Sequence, residues 1–262
     1  MFATEDYVVA LRQHVLAAIA TIFIGAFCIK AWRLFNRSQP QTQMGQPQTQ
    51  MGPAPLLQCI IRRRSVFPKD WIDRPVQKAT MNRLLEAAMW APYHGSVPPW
   101  RFVVLGRKTM IQMQHMTLAF YDSRWRDVGW ADGKHGEEES YLKWRKMTED
   151  EIKGRWGPAS YMVAIIMRRQ AGSKRISKWE EAAATACAVQ NIHLQASTDP
   201  GLACYWSSWH DAARKSDEMR LFLGMASEDR CMGFFLVAAC EPALKDIRTR
   251  RPETHLSVEW RD

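Results

Sequence analysis

Apolar positions recur along this chain with two different periods, and each change of period marks a boundary between elements. From Lys78 to Trp90, the apolar residues Met81, Leu84, Leu85, Ala88 and Met89 follow the spacing of one helical face. Pro92 stops that helix. After an irregular loop, Arg101 to Leu105 is β-branched and apolar, which suits a buried strand. Met110 to Tyr121 reads as another helix. Trp125 to Trp156 is polar and aromatic, with Glu137-Glu138-Glu139 inside it, and reads as a helical insertion, either mobile or plainly solvated. Tyr161 to Met167 is an apolar run of strand length. Glu180 to Ser197 is Ala-rich and apolar nearly all round, so a large core or a second subunit must cover it. Asp199-Pro200-Gly201 ends that helix. Ala203 to Trp206 is a short strand, Asp217 to Leu223 a helix closed by Gly224, Gly233 to Ala239 a strand, and Arg248 to Asp262 an extended tail. Helices and at least four strands without strict alternation predict an α+β domain.

The first 55 residues have a different character. Val15 to Ile29 is an uncharged, mostly apolar run of 15 residues, extended weakly across Lys30 and Arg33 to Phe35. A cleaved signal peptide needs small residues at the cut, and Phe27-Cys28-Ile29-Lys30 is a poor site. A transit peptide avoids acids, yet Glu5 and Asp6 come first. The expectation is a single transmembrane helix within residues 1–38. The cations Lys30, Arg33 and Arg37 follow it, which places the large domain in the cytosol. Gln39 to Gly52 is a tandem repeat of Gln-Pro-Gln-Thr-Gln-Met-Gly with neither charge nor apolar periodicity, so residues 39–55 read as a low-complexity linker. Residues 56–262 are then the folded domain, roughly 205 residues and long enough to bury a core.

Composition narrows the chemistry. The chain is 47% hydrophobic and 24% charged, as globular proteins are. Its net charge of +9 raises the question of nucleic acid, but the bases are interleaved with acids except at Arg62-Arg63-Arg64 and Arg248 to Arg251. Two short clusters suit a phosphate better than a duplex, which needs a stripe, so no nucleic-acid partner is expected. Six cysteines show no C-x-x-C spacing and read as reduced core thiols, with no metal site. Glycine-rich nucleotide loops and the G-x-S-x-G elbow do not occur. His193 and His210 lack metal-ligand spacing, and His193, inside the Ala-rich helix, reads as a hydrogen-bonded core residue.

Two stretches remain for binding. Arg63, Arg64 and Ser65 put two fixed cations and a hydroxyl in three residues, and guanidinium forks match phosphate oxygens; taken alone, such a run is more often a solvated surface. Ala91 to Leu105 passes from helix end through a Pro-rich loop to a strand, a place where ligands are often held; taken alone, it is an exposed connection.

The order of these features, an Arg-Arg-Ser start, a helix ending in Ala91-Pro92, a short loop and the strand Pro99-Trp100-Arg101-Phe102, resembles the FMN-dependent nitroreductase family. His94-Gly95 after Ala-Pro is most similar to its small, compact bacterial subgroup. The resemblance runs from about Leu57 to the C-terminus. It implies a central mixed β-sheet flanked by helices, and an intertwined homodimer with FMN at the interface. NADH or NADPH would deliver hydride to flavin N5, and a nitroaromatic, quinone or similar small acceptor would take it. Arg63, Arg64 and Ser65 match the motif that contacts the FMN phosphate and ring, and either Arg250 or Arg251 the C-terminal base that closes on the same phosphate. His94 and Ser96 lie in the loop that reaches the flavin of the other subunit, with Pro98 able to pack there but not to bond. Trp206, Ser207 and Ser208 occupy the segment along the isoalloxazine face. No side chain need act as nucleophile or base. Two alternatives stand beside this one: a reductive dehalogenase resembling iodotyrosine deiodinase, suggested by an anchor before the domain and by Glu137 and Tyr141, and a non-catalytic flavin-binding membrane protein. Against the former, Val97-Pro98 stands where the deiodinase loop has Thr-Glu.

Overall fold

In the computed structural model, the described residues are 55–131, 133–154, 156–170, 172, 175–242 and 257–261. The chain divides into two units, Met1–Gly52 and Pro53–Asp262, and every described residue belongs to the second. The expected anchor, most of the linker, and Arg250 and Arg251 lie outside the described residues.

Seven helices and five strands are described. Helix α1 is Pro55–Arg62, α2 Lys78–Ala88, α3 Arg107–Val128, α4 Glu138–Gly154, α5 Lys178–Ser197, α6 Asp211–Arg214 and α7 Asp217–Phe222. The strands are β1 Trp71–Ile72, β2 Trp100–Gly106, β3 Tyr161–Met167, β4 Leu202–Ser207 and β5 Arg230–Cys240.

The membrane-spanning expectation is corrected. No helix among the described residues is long and apolar enough to cross a membrane. The two longest show why. Helix α3 carries Arg107, Lys108, Asp122, Arg124, Arg126 and Asp127, and α5 carries Lys178, Glu180 and Glu181. The uncharged run at 15–29 is itself shorter than the roughly 20 residues a span requires. The transmembrane helix, and the membrane location built on it, are therefore set aside.

Strand β5 is the centre of the sheet. It pairs with β3, which pairs with β2; β4 pairs with β5 as well, and β1 adds two rungs, Trp71 opposite Cys240 and Ile72 opposite Ala239. Every ladder among these strands is antiparallel, which corrects the expected mixed sheet. Connectivity explains it. Two helices, α3 and α4, separate β2 from β3, so the chain returns to the end where β2 finished and reverses. A single helix, α5, joins β3 to β4 and makes those two run the same way, but β5 inserts between them and pairs antiparallel with both.

Both faces of the sheet are covered, with the period-2 alternation of a pleated strand. Met162, Ala164 and Ile166 of β3 and Phe234, Leu236 and Ala238 of β5 pack with Met110, Met113 and Leu118 of α3. Val163, Ile165, Phe235 and Val237 face the other way, against Met81 and Leu84 of α2 and Ala188, Val189 and Ile192 of α5. Three details depart from the sequence reading. Helix α2 stops at Ala88, leaving Met89 and Trp90 exposed. Helix α1, which the pattern did not single out, shows Leu56, Leu57, Ile60 and Ile61 all to solvent and buries none of its residues. Helix α4 is not a plainly solvated helix, because Tyr141, Thr148 and Ile152 are buried.

Candidate functional site

Helix α1 ends at Arg62, and the next four residues form a loop pinned from three sides. Arg63 N donates to Cys59 O at 2.9 Å. Arg64 O faces His193 Nε2 of α5 at 2.9 Å. Val66 N donates to Cys204 O of β4 at 3.1 Å, and Val66 O accepts from Trp71 Nε1 at 2.9 Å. Between these bonds Arg63 and Arg64 are half-buried and Ser65 is exposed. Arg63 Nη1 lies 3.4 Å from His193 Nδ1. Arg64 Nη1 is buried with no hydrogen-bond partner among the described residues. It borders a narrow crevice shared with His193, Ser197 and Cys204. A buried guanidinium nitrogen without an acceptor is uncommon, and an anion is the ligand that satisfies it.

Strand β4, which holds this loop at Cys204, runs directly on to Trp206, Ser207 and Ser208. Trp206 is partly exposed and donates from Nε1 to Met232 O at 3.0 Å. Ser207 Oγ accepts from Trp209 N at 3.1 Å. Trp209 has φ of +58°, an unusual conformation for a bulky residue. It is held there by its buried indole, which donates from Nε1 to Thr117 Oγ1 at 3.0 Å and packs edge-on against Trp156. Backbone strain of this kind concentrates at functional sites. Opposite this segment, Gly233 has φ of +118°, and a Cβ there would overlap Ser207 O and stand 2.8 Å from Trp206 Nε1. Only glycine allows β5 so close to Trp206–Ser208.

The second candidate group, His94, Ser96 and Pro98, sits elsewhere. His94 and Ser96 are exposed and Pro98 is half-buried. His94 Nδ1 lies 3.4 Å from Glu180 Oε2, in the first turn of α5. Ser177 Oγ donates to the same carboxylate, and that bond, with His94, holds the Glu180 carboxyl below its usual range. Gln170 Nε2 donates to Val97 O at 2.9 Å, while Gln170 N donates to Glu181 Oε1 at 3.1 Å. Glu181 is fully buried and ion-paired with Arg169. Residues 180 and 193 are 13 positions apart on α5, about 20 Å along its axis. The structure therefore brings Arg63, Arg64 and Ser65 to the strand that carries Trp206, Ser207 and Ser208, and it leaves His94, Ser96 and Pro98 at the far end of α5. Sequence reasoning missed Gln170 and Glu180 as anchors of the latter loop, since nothing local marks a contact across 73 positions.

A larger groove, about 510 Å³, lies between α1, α2 and α5. Leu56, Cys59, Trp90 and Leu194 line it, and none of the candidate site residues does.

Solved structures share this fold. A nitroreductase-like family protein from Bacillus cereus superposes with a TM-score of 0.54 at 22% identity, covering 80% of this chain and 99% of that one. A nitroreductase with bound FMN from Bacteroides fragilis gives 0.56 at 20% identity, covering 79% and 100%. A mutant of an FMN- and NADPH-dependent nitroreductase from Sphingopyxis gives 0.57 at 18% identity, covering 80% and 100%. No curated protein sequence matches significantly. The sequence model of the nitroreductase family matches residues 60–238, more than half of the chain and all five strands but the last two residues of β5. By that match, the chain belongs to the nitroreductase family.

Proposed function

We propose that residues 56–262 form an NAD(P)H-dependent flavin oxidoreductase that binds FMN and reduces a nitroaromatic, quinone or similar small acceptor. The observation that carries this reading is the pinned Arg63–Ser65 loop, with its buried, unpartnered Arg64 Nη1 beside an exposed serine. Two guanidinium groups and a hydroxyl fit a dianionic phosphate, and the partly exposed Trp206 edge fits a planar ring. Bound there, FMN would supply the hydride chemistry that links the nicotinamide to the acceptor. The protein's part is to hold and orient. Arg63 and Arg64 neutralise the phosphate, and Ser65 offers a hydroxyl beside them. Trp206, Ser207 and Ser208 wall one face of the ring site, kept in place by the Gly233 approach. Arg250 or Arg251, outside the described residues, is the further cation that the family resemblance implies. No side chain is assigned to take or give a proton.

His94, Ser96 and Pro98 belong to this reading only in a homodimer. About 20 Å of helix separates their loop from the arginine loop of the same chain, so they serve a flavin held by the other subunit. The exposed Leu56, Leu57, Ile60 and Ile61 and the groove beside Trp90 supply apolar surface for that subunit to cover. The dehalogenase alternative loses its substrate clamp, because Tyr141 is 3% exposed and engaged with Asp122.

The test uses the full-length chain. Purified protein should carry or take up FMN, shown by its visible spectrum, and the flavin band should bleach under anaerobic NADH or NADPH and return with a quinone. Protein that binds no added FMN overturns the proposal. Light scattering should find a dimer, and a monomer replete with flavin would overturn the two-subunit site.

A further inference from the structure

We infer that His193 is a positioning residue for the arginine loop, setting the backbone of Arg64 and the guanidinium of Arg63 through the two nitrogens of one imidazole. The inference rests on the reading above that Arg63 binds the FMN phosphate. His193 sits on α5, is 6% exposed, and lies 129 and 130 positions from the two arginines. Its Nε2 is 2.9 Å from Arg64 O, and a carbonyl can only accept, so Nε2 carries the proton. In the neutral ring Nδ1 is then an acceptor, and it faces Arg63 Nη1, which can only donate. Each contact therefore specifies the other: the tautomer that supports the Arg64 backbone is the one that receives the Arg63 guanidinium.

One further contact keeps the ring from turning, and another holds the loop. Phe235 of β5 meets it edge-on, centroids 5.3 Å apart and planes at 79°. Val66 N is bound to Cys204 O on the β4 side, so the loop is gripped both before and after Ser65. Arginine is rich in rotamers, and a long cation bound by one phosphate alone must be ordered at the moment of binding. His193 orders it beforehand. A guanidinium has five N–H donors in a planar fork, so one contact to the imidazole orients the group without using up its capacity to donate. A histidine that merely filled the core would need a partner for its polar atoms, but it would have no reason to direct both of them at the same basic loop.

The experiment compares FMN with riboflavin, which lacks the phosphate. The substitution His193→Gln can keep a donor where Nε2 stands and loses the acceptor at Nδ1; His193→Asn can keep an acceptor at Nδ1. His193→Gln should weaken FMN binding about five- to tenfold, within the worth of one charge-assisted bond, and leave riboflavin binding unchanged. His193→Asn, which keeps that acceptor but gives up the donor to Arg64 O, should recover part of the loss. In an Arg63→Ala background, His193→Gln should cost nothing more, because the group it orders is gone. A fall in FMN and riboflavin affinity alike, or independent losses in the double variant, would overturn the positioning role while leaving Arg63 at the phosphate. If Arg63→Ala itself leaves FMN binding unchanged, the reading of Arg63 fails, and this inference fails with it.

Discussion

Tyr141 lies flat on Trp125, ring centroids 4.8 Å apart and planes within 6° of parallel, while its hydroxyl donates to Asp122 at 2.6 Å. Helix α4 is thereby fastened to α3 through a stack at one point and a charged hydrogen bond beside it. Trp130 and Trp144 close around the same tyrosine. Burial, and then the bond to Asp122, pushes the Tyr141 phenol far above its ordinary range, so it stays a donor at every physiological pH. A polar, charged stretch thus becomes a packed helix hairpin.

The two halves of this anchor separate by mutation. Tyr141→Phe keeps the stack and loses the bond, and should cost about 1–2 kcal/mol, because Arg145 still serves Asp122. Tyr141→Ala removes both and should cost about 3–5 kcal/mol. Urea unfolding of the two variants checks the order. Equal losses would mean that the stack contributes nothing.

The same anchor should loosen in acid. Burial pushes the Asp122 carboxyl up, but the hydrogen bonds from Arg145 and Tyr141 outweigh it and hold the group below its usual 3.8. The sign follows. A carboxyl depressed in the folded state stabilises the fold above its unfolded value, and that stabilisation is lost as pH falls through the folded value. Stability relative to Asp122→Asn should therefore be level from neutral pH to about 4.5 and decline below that. Asp122 is partly exposed, so the effect is small. A difference between the two proteins that vanishes near pH 7 instead would contradict it.

At the proposed phosphate site, Arg63→Ala removes one charge-assisted contact worth roughly 1.5–3 kcal/mol, so FMN affinity should fall about ten- to a hundredfold. Riboflavin should bind both proteins equally. Arg62 is the exposed last residue of α1, and Arg62→Ala should change neither affinity. If Arg62→Ala weakens FMN binding more than Arg63→Ala, the register of the motif is shifted by one residue.

Gly233→Ala tests the β5 approach to the ring segment. The new Cβ would meet Ser207 O and the Trp206 indole at a φ of +118°. It should cost about 1–3 kcal/mol in stability and lower riboflavin and FMN affinity together, since the disturbance is at the proposed ring site and not at the proposed phosphate site. Thermal unfolding and the two titrations check this. A loss confined to FMN would move Trp206–Ser208 away from the ring.

The sequence by itself determined what depends on neighbours within a turn or a pleat. The 3.6-residue spacing of Met81, Leu84 and Ala88 marked α2, and the apolar run Tyr161–Met167 marked β3 to the residue, because each such pattern records a face buried along a few consecutive positions. Punctuation by Pro92 and Gly224 is likewise local. The order of the Arg63, Ala91-Pro92 and Trp100 segments was enough to indicate the family. Only the tertiary structure decided the antiparallel order, since two intervening helices and an inserted β5 set strand direction, and no residue of β3 or β4 encodes either. The same holds for the burial of Tyr141, which its charged neighbours conceal, and for the placing of His94 and Arg63 at opposite ends of α5. It holds most for His193. An isolated histidine in an apolar helix looks like any core histidine until folding brings a carbonyl to one of its nitrogens and a guanidinium to the other from about 130 positions away. Pairings at that separation are paid for by closing the whole sheet, so no local pattern of residues can announce them.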